Sequence, residues 1–108
     1  MEFKLINLCD HDVVIRDCNN KFHTLPACEG EPARVKTDYA PVFYLGTIGV
    51  NRKVGSITTS LPPTTEGVMY VVSRMVAEAN RHRRDLLFPG AQFYSDEGIR
   101  FCAGLETL

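Results

Sequence analysis

Only one segment of this sequence, residues 74–84, has the spacing of an amphipathic helix. At about 100° per residue its apolar side chains fall on one side, with Arg74 and Arg81 on the other. Ser73 lies just before the segment and is a good N-cap residue, because its hydroxyl can accept a hydrogen bond from an early helix amide. A helix of about 11 residues is marginal alone, so we expect its apolar side to pack on a sheet.

The rest of the chain alternates short β-branched or aromatic runs with turn residues, which is typical of strands. We expect strands over residues 3–9, 13–16, 22–25, 33–37, 41–45, 47–50, 54–61, 68–72 and 99–103. The first two are predicted to form a hairpin whose turn presents His11, and the uniformly apolar run 41–45 is predicted to be buried. One helix cannot supply the repeated crossovers of a doubly wound fold. The sequence therefore predicts an α+β fold: a mostly antiparallel β-sheet or half-closed barrel with one helix packed on it, in a single domain, 1–108.

Composition excludes some classes of protein. The chain carries 12 Lys and Arg residues against 13 Asp and Glu residues, so a generally basic nucleic-acid coat is excluded. No apolar run approaches the roughly 18–20 residues of a membrane span, and the start of the sequence lacks the pattern of a secretory signal. We therefore expect a cytoplasmic protein with no membrane partner. In a reducing cytosol we expect the four cysteines to be free thiols. They form no CxxC pair, so we expect no metal site, and we expect no cofactor.

The junction between strand and helix at Ser73 is the place where the sequence best suits an anion. A helix start leaves free amides and a partial positive charge, and the guanidinium of Arg74 follows at once. Further arginines near the other end of the helix add forked phosphate donors: Arg81, Arg83 and Arg84. The same positively charged side chains would also interact favourably with the negative C-terminal end of the helix dipole. Their role could therefore be to stabilise the end of the helix instead of binding an anion.

His11 and Tyr94 are the remaining candidate binding residues. His11 lies between two aspartates, which favour its protonated form, although a turn histidine that bonds its own backbone is the simpler interpretation. No nucleophile is spaced to imply a catalytic triad, so we predict no catalytic residue. Tyr94 precedes a polar turn and could stack on a base, although core packing is the usual role of an aromatic side chain.

Short motifs spread over most of the chain resemble those of a family of small proteins encoded in phages and prophages. The matching segments are 6–8 with His11, 61–62, 66–67, 70–73, 76–77, 84–86 with Pro89, and 96–98. Where the family has Thr-Pro before the histidine, this chain has Cys9-Asp10. The resemblance implies no activity, but it does imply a small accessory protein that acts inside an infected bacterial host.

Residues and resemblance together favour a non-enzymatic protein that sequesters an anionic small molecule, most of all a nucleotide signal of host defence. Its site would comprise Ser73, Arg74, Arg81, Arg83, Arg84, His11 and Tyr94. One alternative is a protein–protein inhibitor of a host defence complex, of the anti-CRISPR kind, which needs an exposed patch instead of a pocket. The second is a small hydrolase using His11, so the sequence does not decide whether the protein is an enzyme. Many short strands leave open edges, and we therefore also expect a homo-oligomer.

Overall fold

The computed structural model describes residues 3–108, and about half of that range is strand, with one short helix. The elements are β1 (Lys4–Asn7), β2 (Val13–Arg16), β3 (Phe22–Leu25), β4 (Arg34–Leu45), β5 (Ile48–Thr59), β6 (Val68–Val71), α1 (Arg74–Ala79), β7 (Leu86–Pro89), β8 (Gln92–Tyr94), β9 (Arg100–Cys102) and β10 (Leu105–Glu106).

The first sheet has the strand order β1-β6-β7-β10. Strands β1, β6 and β7 run parallel, whereas β10 runs antiparallel to β7. Helix α1 lies in the connection between β6 and β7, because two parallel neighbours need a crossover of this kind. Its buried residues Val76 and Ala77 belong to the same core cluster as Tyr70, Val72 and Phe88.

The second sheet has the strand order β3-β2-β9-β8 and contributes to a second core. Cys9, Val13 and Cys102 form this core together with Val71, which is fully buried. Side chains alternate between the two faces of a strand. Val71 therefore contacts one core while its neighbours Tyr70 and Val72 contact the other, and the run at β6 is apolar throughout because both of its faces are buried.

The third sheet is a two-stranded hairpin of β4 and β5, which we call the arm (residues 34–59). Each strand is 12 residues long, and Gly46 takes a positive φ of 63° in the turn between them. None of the 24 strand residues of the arm is buried. The molecule is accordingly elongated, with extents of 56 × 37 × 25 Å.

The mostly-strand fold with one helix is as expected, but its organisation differs from the prediction. Within residues 3–108 there are three sheets, none of them closed into a barrel, and parallel pairs occur beside antiparallel ones. Strands β1 and β2 do not form a hairpin, because β1 pairs with β6 and β2 pairs with β3 and β9. Local turn residues predicted the hairpin, whereas burial of the long-range partner β6 decides the pairing.

The helix is also shorter than the predicted segment 74–84. It ends at Ala79, and Asn80 leaves helical geometry with φ −129°. The Asn80 side chain donates to the carbonyl of Val76 at 2.9 Å and to Thr58 Oγ1 at 2.8 Å. An asparagine can thus bond a carbonyl that a longer helix would use, and here it also ties the helix to the base of the arm.

Candidate functional site

The residues of the predicted site lie in separate parts of the surface. Ser73 and His11 line adjoining clefts beside the start of α1. The three arginines line a different cleft, of about 380 Å³, together with the C-terminal residues Thr107 and Leu108. Tyr94 is exposed on β8 and lines none of these three clefts. The structure therefore brings Ser73 and His11 together in one place and Arg81, Arg83 and Arg84 together in another, whereas Arg74 and Tyr94 line none of these clefts.

The side chains of Ser73 and Arg74 both form hydrogen bonds with residues of helix α1. Ser73 is the N-cap of α1, as predicted, and its Oγ accepts a hydrogen bond from the backbone N–H of Val76 at 3.3 Å. Arg74 Nε donates to Glu78 Oε1 at 3.0 Å, and its guanidinium lies 5.6 Å from the centre of the Phe88 ring. The short helix α1 thus has one of its first amides satisfied by its own cap.

Arg83 differs from its two neighbours because it forms a buried ion pair. Its Nε and Nη2 donate to the two carboxylate oxygens of Asp85 at 2.8 and 2.7 Å, with side chains 14% and 8% exposed. The bond to Arg83 holds the pKa of Asp85 below its usual range, and the pKa of Arg83 is raised by the same bond. Arg81 and Arg84 are exposed and take no part in this ion pair. Their charges are therefore not neutralised by Asp85.

A cleft of about 190 Å³ lies where the two four-stranded sheets meet, and several polar side chains line it. We call it the junction cleft. Its lining includes His11, Asp12, Ser73, Gln92 and Arg100, together with the buried Cys102. His11 Nδ1 lies 3.0 Å from the carbonyl of Asp12, as the simpler interpretation of this histidine expects. Arg100 Nε donates to Gln92 Oε1 at 3.1 Å. Arg100 was not among the predicted site residues, because the sequence around β9 gives no sign that this strand lies close to His11.

Asn7 shapes the loop that carries His11, and sequence reasoning did not identify it. This buried side chain donates from Nδ2 to the carbonyls of His11, Leu25 and Pro26 at 3.0–3.1 Å. Its Oδ1 accepts from the backbone N–H of Cys9 at 2.9 Å. The one signal in the sequence is that Asn7 is the single amide side chain in the otherwise apolar run 5–9.

The arm carries the largest group of exposed apolar side chains. They are Tyr39, Val42, Phe43, Tyr44, Leu45, Ile48, Val54 and Ile57, each at least half exposed. The end of the arm, residues 41–50, contains no charged residue, and we call it the arm tip. The prediction that residues 41–45 form a buried strand is therefore wrong for this chain: the strand exists, but no layer covers it.

Other chemistry has little support in the described range. Within residues 3–108 no three His, Cys, Asp or Glu side chains are grouped as a metal ion would require. All four cysteines are free thiols. Across the same residues, no helix has the length and apolar character needed to cross a membrane. Comparison with protein-family models, with curated proteins and with solved structures finds no match.

Proposed function

We propose that this protein is a non-enzymatic binding module that docks on another polypeptide through its arm. The observation that carries the proposal is the absence of any buried residue among the 24 strand residues of the arm, beside eight large exposed apolar side chains. An isolated two-stranded hairpin is marginally stable at best in water, and a sheet normally buries one face. The arm is thus a surface that lacks its covering layer.

The size of the surface points in the same direction. Eight side chains that each expose on the order of 100 Å² amount to roughly 800 Å². Monomers rarely expose contiguous apolar patches beyond a few hundred Å², and a standard interface buries about 800 Å² on each partner. Summed over its two faces, the arm therefore exposes about as much apolar area as one side of a standard protein–protein contact.

The backbone of the arm favours a polypeptide over a lipid surface as the occupant. Each strand of a two-stranded sheet leaves an outer row of unpaired N–H and C=O groups. Hydrocarbon cannot satisfy such groups, whereas a protein surface or trapped water can. In the phage context that the sequence resemblance implies, this surface suits a cytoplasmic accessory protein of α+β type that works through protein–protein contact.

Photo-cross-linking in the expressing cell tests the proposal. We expect a photoreactive phenylalanine analogue at Phe43, in the arm tip, to give a covalent protein adduct after irradiation. The same analogue at Ile99, which is half exposed but lies outside the arm, is the matched control and should give little adduct. Equal yields at the two positions, or no adduct at Phe43, would remove the support for docking through the arm.

Sequestration of an anion, such as a nucleotide, is the second candidate function. The observation that favours it is the junction cleft, where Arg100 and His11 line the same space as Ser73. A guanidinium and an imidazole can bind phosphate oxygens through charge-assisted hydrogen bonds. A cleft of about 190 Å³ suits a phosphate group, with the remainder of a nucleotide outside it.

Thermal unfolding with inorganic phosphate and a panel of linear and cyclic nucleotides tests the second candidate. A ligand at about 100 times its Kd adds about 2.7 kcal/mol to the stability of the folded state, which raises Tm by roughly 10 °C or more in a domain of this size. We expect Arg100→Gln to abolish the rise and Lys21→Gln, an exposed control, to preserve it. A flat response across the panel contradicts binding, whereas conversion of the nucleotide during incubation would favour the hydrolase alternative.

A further inference from the structure

We propose that the occupant of the arm is a second copy of this chain, and that two copies exchange arms. This inference rests on the proposed function and names its partner. Each arm lies against the body of the other copy, where the body is the chain outside residues 34–59. Three features of the molecule support the exchange: the distribution of charge, an apolar groove on the body, and the area that a symmetric pair would bury.

Charge is divided unequally between arm and body. Four of the 12 Lys and Arg residues lie in the arm: Arg34, Lys36, Arg52 and Lys53. One of the 13 Asp and Glu residues, Asp38, lies there too, so the arm carries a formal charge of +3 and the rest of the chain −4. Pairing one arm with another arm would bring like charges together. Placing an arm on the body of a second copy brings opposite charges together, which favours that arrangement.

The body offers a groove that suits an uncharged arm tip. A cavity of about 680 Å³ lies where the first and second sheets meet. Leu5, Ile15, Leu25 and Leu105 belong to the apolar part of its lining, beside the polar residues Arg16, Asp17, Asn20 and His23. Leu5 is partly exposed on β1, the edge strand of its sheet. The arm tip presents Phe43 and Leu45 without a neighbouring charge. Apolar side chains that leave water in this groove would supply the main attraction.

Symmetry doubles the contact. In a twofold pair, each copy contributes one arm and one groove, so the same contact forms twice. With roughly 800 Å² on each arm, the two arms together contribute about 1,600 Å². With the body surfaces that the arms cover, the pair therefore exceeds the roughly 1,600 Å² that a standard interface buries over both partners.

Sedimentation equilibrium of the purified chain, with matched variants, tests the exchange. We expect the wild type to have twice the chain mass in the micromolar range and Phe43→Asp to weaken association by at least about 100-fold, because a carboxylate would be buried without a partner. Leu5→Glu in the groove should weaken it similarly, and Ile99→Asp should not. Phe43, Leu5 and Ile99 are all exposed, so far-UV circular dichroism should show folded variants. Should Phe43→Asp unfold, Leu45→Asp tests the same contact.

Mixing the two defective variants distinguishes the proposed geometry from other dimers. An equimolar mixture of Phe43→Asp and Leu5→Glu contains one intact arm facing one intact groove, so it should associate more strongly than either variant alone. A dimer that Leu5→Glu leaves unchanged would overturn docking in the groove in favour of arm-to-arm pairing. A wild type that is monomeric up to hundreds of micromolar would overturn self-association. In that case, a photo-adduct at Phe43 with a different protein would still support the proposed function, whereas no adduct would overturn both.

Discussion

Replacing Arg83 with methionine lowers the free energy of unfolding by about 3–5 kcal/mol, because it leaves the carboxylate of Asp85 buried without its partner. Both oxygens of Asp85 are bonded to Arg83, and the pair is largely shielded from water. Methionine preserves much of the side-chain volume, so the loss reports the missing charge and hydrogen bonds more than a cavity. Urea unfolding followed by circular dichroism measures the change.

The adjacent residue supplies the matched control for this prediction. Arg84 is exposed, and Arg84→Met should change stability by no more than about 0.5 kcal/mol. Equal effects of the two substitutions would mean that the Arg83–Asp85 pair is not a major stabilising contact. An anion held by all three arginines would instead make both variants lose the same ligand-induced rise in Tm.

The ion pair also sets an expected pH dependence. The folded-state pKa of Asp85 is lowered, chiefly by the hydrogen bonds from Arg83, so the pair stabilises the fold above the unfolded carboxyl pKa of about 4. That contribution is lost as the pH falls through the lower folded-state pKa. In Arg83→Met, burial would raise the pKa of Asp85, so the stability difference from wild type should shrink as the pH falls from neutral. A difference that is constant across this range would contradict the assignment.

Replacing Asn7 with alanine is expected to cost about 3 kcal/mol of stability. The substitution leaves the buried N–H of Cys9 and the part-buried carbonyls of His11, Leu25 and Pro26 without their shared partner. An unsatisfied buried group costs about 1–3 kcal/mol, and water can replace the amide at the more exposed carbonyls. The same change should release the loop of His11, seen as faster amide hydrogen exchange in residues 8–12.

The control for Asn7 is an asparagine on the surface. Asn19 is exposed in a turn, and Asn19→Ala should be close to neutral in urea unfolding. If Asn7→Ala were equally mild, water would be replacing the amide, and Asn7 would not be the element that fixes the His11 loop.

Local features of the fold were accessible from sequence, whereas its long-range pairings were not. The N-cap role of Ser73 follows from the chemistry of its own hydroxyl, and the apolar run 68–72 contains a strand, Val68–Val71, as its composition suggests. The pairing of β1 with β6 depends on residues more than 60 positions apart, which no turn signal encodes. The sequence groups Arg83 with an anion site because its pairing with Asp85 is not evident there. The two residues come together only after the chain leaves the helix at Asn80.

The arm shows why apolar composition alone does not predict burial. Residues 41–45 have the pattern of a strand covered on both sides, yet their side chains are exposed. Apolar composition favours burial, but it does not say whether the covering layer would come from the same chain. Under the arm-exchange proposal the pattern is correct, and the cover belongs to a second copy.

Amide hydrogen exchange in residues 41–50, measured at increasing concentrations of the purified protein, tests that proposal most directly. We expect exchange to slow by at least about 10-fold over the concentrations at which the mass doubles, because docking removes an open state of the hairpin. Phe43→Asp should show fast exchange at every concentration. Exchange that is independent of concentration and identical in wild type and variant would contradict the claim that a second copy covers the arm.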